Sequence, residues 1–136
     1  MFTVTQKGKP LDKSKYQWNE STKIFSTNED NLILDFYEYS GVTFNTGHHC
    51  IFRTWNDCTF KSGHNCTFET GGSCTFITGC GCTFQTCWKC VFYTGDMCTF
   101  QTGWDSIFEV GKGCALIYRL NNFFEVYKLY ENKMIK

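Results

Sequence analysis

An eight-residue repeat, Cys-Thr-Phe-x-Thr-Gly-x-x, runs without loss of phase from Val42 to Gly113, and it constrains this chain more than any other feature. Its nine units begin at Val42, Cys50, Cys58, Cys66, Cys74, Cys82, Cys90, Cys98 and Ser106. Position three is always phenylalanine: Phe44, Phe52, Phe60, Phe68, Phe76, Phe84, Phe92, Phe100 and Phe108. Position two is β-branched throughout, and position six is Gly except at Trp55 and Cys87. A period of eight fits neither a helix nor a heptad. Within each unit, however, positions one, three and five share one face of a strand and positions two and four the other. The first set is constant and mostly apolar. Position four varies freely through Asn45, Arg53, Lys61, Glu69, Ile77, Gln85, Tyr93, Gln101 and Glu109, as a solvent face does. Each unit therefore reads as a short strand and a turn, with the Gly expected to supply a positive φ.

One such strand cannot bury its Phe; a stack of them can, which is the logic of a solenoid. The outer residues decide how many units make a coil. At a spacing of 16, Arg53 falls on Glu69, Ile77 on Tyr93, Gln85 on Gln101 and Trp88 on Trp104. At 24, Arg53 meets Ile77 and Glu69 meets Tyr93, which are poorer chemical matches. The expectation is an all-β solenoid of two facing sheets with two units per coil, about 4.5 coils and a rod of about 20 Å plus caps. The core is the Phe column with the thiols of Cys50, Cys58, Cys66, Cys74, Cys82, Cys90 and Cys98; Cys114 continues the frame. The array spans residues 42–113. Residues 1–41 form an N-terminal cap with short strands near Tyr16–Trp18, Lys23–Phe25 and Leu32–Leu34. Residues 114–136 form a C-terminal hairpin cap, closed at Arg119–Asn122.

Composition narrows the functional classes. Thirteen basic and thirteen acidic residues leave no net charge, which argues against nucleic acid as a partner. No apolar run is long enough to span a membrane, and the first ten residues do not read as a secretory signal. Ten cysteines without such a signal fit reduced thiols better than disulfides. The spacing Cys87-Trp88-Lys89-Cys90 matches redox and zinc motifs, yet Cys90 is already accounted for by the repeat. No nucleophile elbow, phosphate-binding glycine loop or evident carboxylate pair is present, so no enzyme activity and no cofactor are expected.

The run Cys66-Thr67-Phe68-Glu69-Thr70-Gly71-Gly72-Ser73-Cys74-Thr75-Phe76 resembles the octapeptide repeats of a family of phage and phage-like proteins. The flanks Asp30–Phe36, Cys114–Arg119 and Phe124–Val126 are similar too. The resemblance implies a β-solenoid of viral or prophage origin, placed in a bacterial host's cytoplasm or in the virion. It brings no activity and no catalytic residues.

Three functional readings follow. The first is a structural or binding solenoid, a rigid spacer or interaction surface whose partner is another protein, a second copy or a glycan. Its contact residues are Trp88, Trp104, Tyr93 and Trp55. The second is a metal module on the turn edge, where position seven at a spacing of 16 reads His48, His64, Cys80 and Asp96. The third is an ice- or surface-binding array using the Thr columns.

Overall fold

The computed structural model describes residues 1–120, 123–130 and 133–135, with side chains as far as residue 117. In chain order, β1 (Thr3–Gln6), β2 (Lys9–Pro10), a single 3₁₀ turn (Lys13–Lys15), β3 (Tyr16–Asn19), β4 (Ile24–Thr27) and β5 (Leu32–Phe36) precede the array. The array supplies β6 (Thr43–Asn45), β7 (Ile51–Thr54), β8 (Thr59–Lys61), β9 (Thr67–Glu69), β10 (Thr75–Ile77), β11 (Thr83–Gln85), β12 (Val91–Tyr93), β13 (Thr99–Thr102) and β14 (Ile107–Glu109). Then follow β15 (Cys114–Leu120), β16 (Phe123–Tyr130) and β17 (Lys133–Ile135).

The strands divide by parity into two facing sheets. One has the order β17-β16-β15-β13-β11-β9-β7-β5-β1-β2, the other β14-β12-β10-β8-β6-β4-β3. Array neighbours are parallel and offset by 16 residues: Thr75 pairs with Thr59 and Val91, Phe84 with Phe68 and Phe100. Two octads therefore make one coil. The parallel stack holds six coils, because β4, β5 and β15 from the flanks join it. Phe25 pairs with Phe44 and Leu34 with Phe52, spacings of 19 and 18 in place of 16, so the first turns are longer than the repeat allows.

The core is built mainly from two residue types, phenylalanine and cysteine. Phe44 through Phe100 are fully buried. Within a sheet the rings stack in parallel at one coil's rise: Phe60 on Phe76 at 4.9 Å and 3°, Phe68 on Phe84 at 4.9 Å and 3°. Across sheets they meet edge to face, as Phe68 meets Phe60 at 5.1 Å and 73° and Phe76 at 5.2 Å and 74°. Each ring thus makes both favourable aromatic geometries at once. The position-one thiols flank this zipper, and Thr54, Thr70 and Thr102 close its other margin.

Antiparallel strands end the stack. β1 runs back along β5 and carries β2 on a two-residue turn, Lys7-Gly8, with both residues at positive φ. β2 places Pro10 on the sheet edge, where its missing N–H blunts further pairing. β3 runs antiparallel to β4, and Phe2, Tyr16, Trp18 and Tyr39 cover the end of the core, with Phe2 stacked on Phe36 at 4.2 Å. At the far end β15 and β16 form the expected antiparallel hairpin, to which β17 adds a third strand. Asn121 and Asn122 of its expected turn lie outside the described residues.

Phe76 and Tyr93 test this division of labour, being buried and 43 % exposed on adjacent strands of one sheet. Phe76→Ala is expected to cost about 3–5 kcal/mol in denaturant unfolding. Tyr93→Ala is expected to stay within about 0.5 kcal/mol of the parent.

Candidate functional site

The turns form two edges of the rod, and position seven behaves differently on each. On the edge leading from β6, β8, β10, β12 and β14, the position-seven side chain folds over the next coil. There it accepts the N–H of the next position-seven residue. His48 donates to Asp30 Oδ1 (2.8 Å), His64 to His48 Nδ1 (2.8 Å), Cys80 to His64 Nδ1 (2.8 Å), Asp96 to Cys80 Sγ (3.3 Å) and Lys112 to Asp96 Oδ1 (2.8 Å). The neighbouring turn amides find carbonyls: Gly79 N donates to Gly63 O, and Asn65 N to Cys80 O. The side-chain column thus satisfies an amide that the backbone pattern leaves over.

This arrangement corrects the expected role of the position-six glycines. None of them has a positive φ. The left-handed residue is position eight, filled by His49, Asp57, Asn65, Ser73, Lys89, Met97 and Asp105 at φ between 56° and 61°, and by Gly81 and Gly113. Position six is Gly because the preceding coil's position-seven side chain needs the space. A Cβ on Gly63 would lie 2.0 Å from His48 Nδ1, and one on Gly79 would lie 2.2 Å from His64 Nδ1. The exception at Cys87 obeys the same rule, since the preceding coil has Gly72 at position seven and nothing stands in the way.

The candidate metal residues His48, His64, Cys80 and Asp96 do share one column, and the two imidazoles stack at 5.1 Å and 1°. Their acceptors, however, are engaged by main-chain N–H groups. With Nδ1 of both histidines accepting, the ring proton of the neutral form sits on Nε2. Coordination through Nε2 would move that proton to Nδ1, against an amide N–H. Among the described residues no group of three or more His, Cys, Asp or Glu side chains is placed to hold a metal ion.

The candidate aromatic residues do not form one surface. Tyr93 lies on the open face of β12, whereas Trp55, Trp88 and Trp104 occupy the second turn edge, leading from β7, β11 and β13. Trp88 and Trp104 stack at 5.8 Å and 13° and are 44 % and 52 % exposed. They form one wall of a groove of about 540 Å³ whose other wall carries Glu69, Gln85 and Gln101, with Thr86 and Cys87 between. The groove adjoins a smaller dip at Tyr37, Arg53 and Trp55. There Arg53 pairs with Asp35 (3.6 Å) and Glu69 (4.0 Å) and lies 5.2 Å from the Tyr37 ring centre.

On this edge the position-seven column is broken. Asn56 Oδ1 still accepts from Gly72 N at 2.8 Å. Gly72 then has no side chain to serve Trp88, and the Trp88 indole has no acceptor to offer Trp104. Neither tryptophan's backbone N–H has a partner among the described residues. Sequence reasoning singled out the indoles but missed the glutamine wall and these two amides. The readable signal was the glycine at a position that elsewhere carries a capping side chain.

All ten cysteines are free. The position-one thiols donate to carbonyls of their own turn and of the preceding coil, as Cys66 does to His64 O (3.6 Å) and Gly47 O (3.6 Å). Hydrogen bonds to Cys58 and Cys90, with burial, push the Cys74 thiol up, while the same bonds hold Cys58 and Cys90 down to about 7. Burial also raises Cys87. Cys80 and Cys87 stand on opposite edges and are the two partly exposed thiols. The outward Thr67, Thr83 and Thr99 alternate with Glu69, Gln85 and Gln101 along the same sheet, so the threonine rank shares its face with a polar, uneven column.

No helix among the described residues is long and apolar enough to cross a membrane. No family model matches the chain, no curated protein matches it, and no solved structure matches it.

The position-six rule makes a paired prediction. Gly79→Ala is expected to lose about 1–3 kcal/mol, because the added methyl displaces His64 from the Cys80 amide. Cys87→Gly, with no side chain opposite, is expected to lose about 1 kcal/mol or less. Thiol titration with a chromogenic disulfide is expected to read Cys80 and Cys87 in the folded protein, and all ten cysteines after unfolding. A ladder thiol that reacts as fast as Cys87 under native conditions would contradict the packing described above.

Proposed function

We propose that this chain is a non-enzymatic β-solenoid that acts as a rigid spacer carrying an interaction surface. In this reading it is a virion-associated or accessory protein of a phage, found in the particle or in the host cytoplasm. The observation that supports it most is the unbroken stack of coils in one register. Within the array each coil is fixed to the next by ladder hydrogen bonds, stacked Phe rings and, on one edge, the position-seven column. Such an object transmits orientation along its length and offers shape more readily than chemistry. The shallow groove walled by Trp88 and Trp104 is then a contact surface for a partner. The phage assignment rests on the octapeptide resemblance. The chain's balance of charge fits a protein, a second copy or a glycan better than nucleic acid.

The test is to label the protein in a lysogen or infected culture carrying this sequence and to purify the particles through a density gradient. The chain is expected to sediment with intact particles or with a particle component. Recovery only as a free chain, with none on particles or particle proteins, would remove the virion-associated reading.

A further inference from the structure

Four observations meet on the second turn edge. Two half-exposed indoles, Trp88 and Trp104, stand in register on consecutive coils. Facing them across the groove is a ladder of planar amides, with Gln85 paired to Gln101. Trp88 and Trp104 also bring backbone N–H donors that no described residue satisfies, because the capping column lapses at Gly72. Lastly, the Glu69 carboxylate at the groove's end is 4.0 Å from Arg53, so the middle of the groove is uncharged.

We propose that this groove binds a neutral linear oligosaccharide lying along the rod axis. Indoles offer apolar surface to the C–H bonds of a sugar ring. Glutamine amides both donate to and accept from hydroxyls. The coil rise of about 4.8 Å repeats this set of groups at close to the length of one pyranose unit, so successive sugars meet successive rungs. Competing occupants fit less well. A peptide that binds by adding a strand needs an open sheet edge, and β11 and β13 have sheet neighbours on both sides. A nucleic acid needs a basic track, and the groove wall carries Glu69, Gln85 and Gln101.

This inference rests on the reading of the protein as a non-enzymatic binding rod. The experiment titrates the full chain with cellohexaose, chitohexaose and maltohexaose, with polygalacturonate as an acidic control, following tryptophan fluorescence and calorimetry. At least one neutral hexasaccharide is expected to saturate the protein. Trp88→Ala and Trp104→Ala are each expected to weaken it about tenfold. Gln85→Leu is expected to weaken it while leaving the circular dichroism spectrum unchanged, and Tyr93→Ala, on the other sheet, to leave affinity intact. No saturable response to any neutral hexasaccharide at about 1 mM would overturn the proposal. So would a response that survives the double tryptophan variant, or saturation by polygalacturonate alone. Chromatography of the titrated sugars separates the two readings. Shortened products would remove the non-enzymatic reading and leave the site standing, whereas intact sugars with no binding would remove the site and leave the rod.

Discussion

The stacking of one phenylalanine on the next at a single coil's rise is the constraint from which the rest of this structure follows. Parallel rings about 5 Å apart require that every coil hold the same number of residues. An insertion in one turn would tilt its ring out of the column, and the edge-to-face contacts across the sheets would fail with it. The zipper has no room for compromise, because each ring is gripped by neighbours above, below and opposite. That explains why position three never varies while position four varies at every step. It also explains where the longer turns fall. Spacings of 19 and 18 occur only in the first coil, at the capped end, where Tyr16 and Phe2 can adapt to Phe25 and Phe36.

A second regularity is subordinate to the first but sets the sequence of the turns. Fixed coil length brings position seven of each coil over position six of the next. A side chain at one site then demands a glycine at the other, and in return it caps an amide. His48 and Gly63, His64 and Gly79, Asp96 and Gly111 are three instances of one bargain between adjacent coils. The chemistry of the capping atom is free, since imidazole, thiol and carboxylate all serve. A column of metal-ligand residue types therefore arises from a shared need for a hydrogen-bond acceptor. Its members are set one per coil and turned toward the backbone, which is a poor way to surround an ion.

Much of the fold was legible because a repeat states its inner and outer faces nine times over. The two-sheet coil of 16 followed from comparing Arg53 with Glu69 and Trp88 with Trp104, pairs that the structure places in contact. What escaped lay where the repeat gives no statistics. β1 and β2 meet in a Lys7-Gly8 turn that lacks the usual Asn-Gly signature, and β17 follows a segment without periodicity. The glycine at position six was assigned to backbone conformation, because one sequence shows that a side chain is missing without showing what fills its place. The turn's left-handed residue passed unnoticed because Lys89 and Met97 are not residues that advertise a positive φ.

The breaks in the repeat fall together on one edge of the rod. In a repeat whose every position is tied to its neighbours, a departure that costs packing or a hydrogen bond marks a strained or a functional position. The departures at Gly72, Cys87, Trp88 and Trp104 are adjacent in space. Together they exchange a capping side chain for an open amide and a solvated turn for a stacked pair of indoles. The opposite edge keeps its column through His48, His64, Cys80 and Asp96, so the coil geometry itself does not force the break. One edge of the rod is closed by its own side chains, and the other carries uncapped turn amides beside glutamine side chains and exposed aromatic surface on consecutive coils. A ligand that repeats at the pitch of the solenoid is the kind of molecule for which that asymmetry has a use.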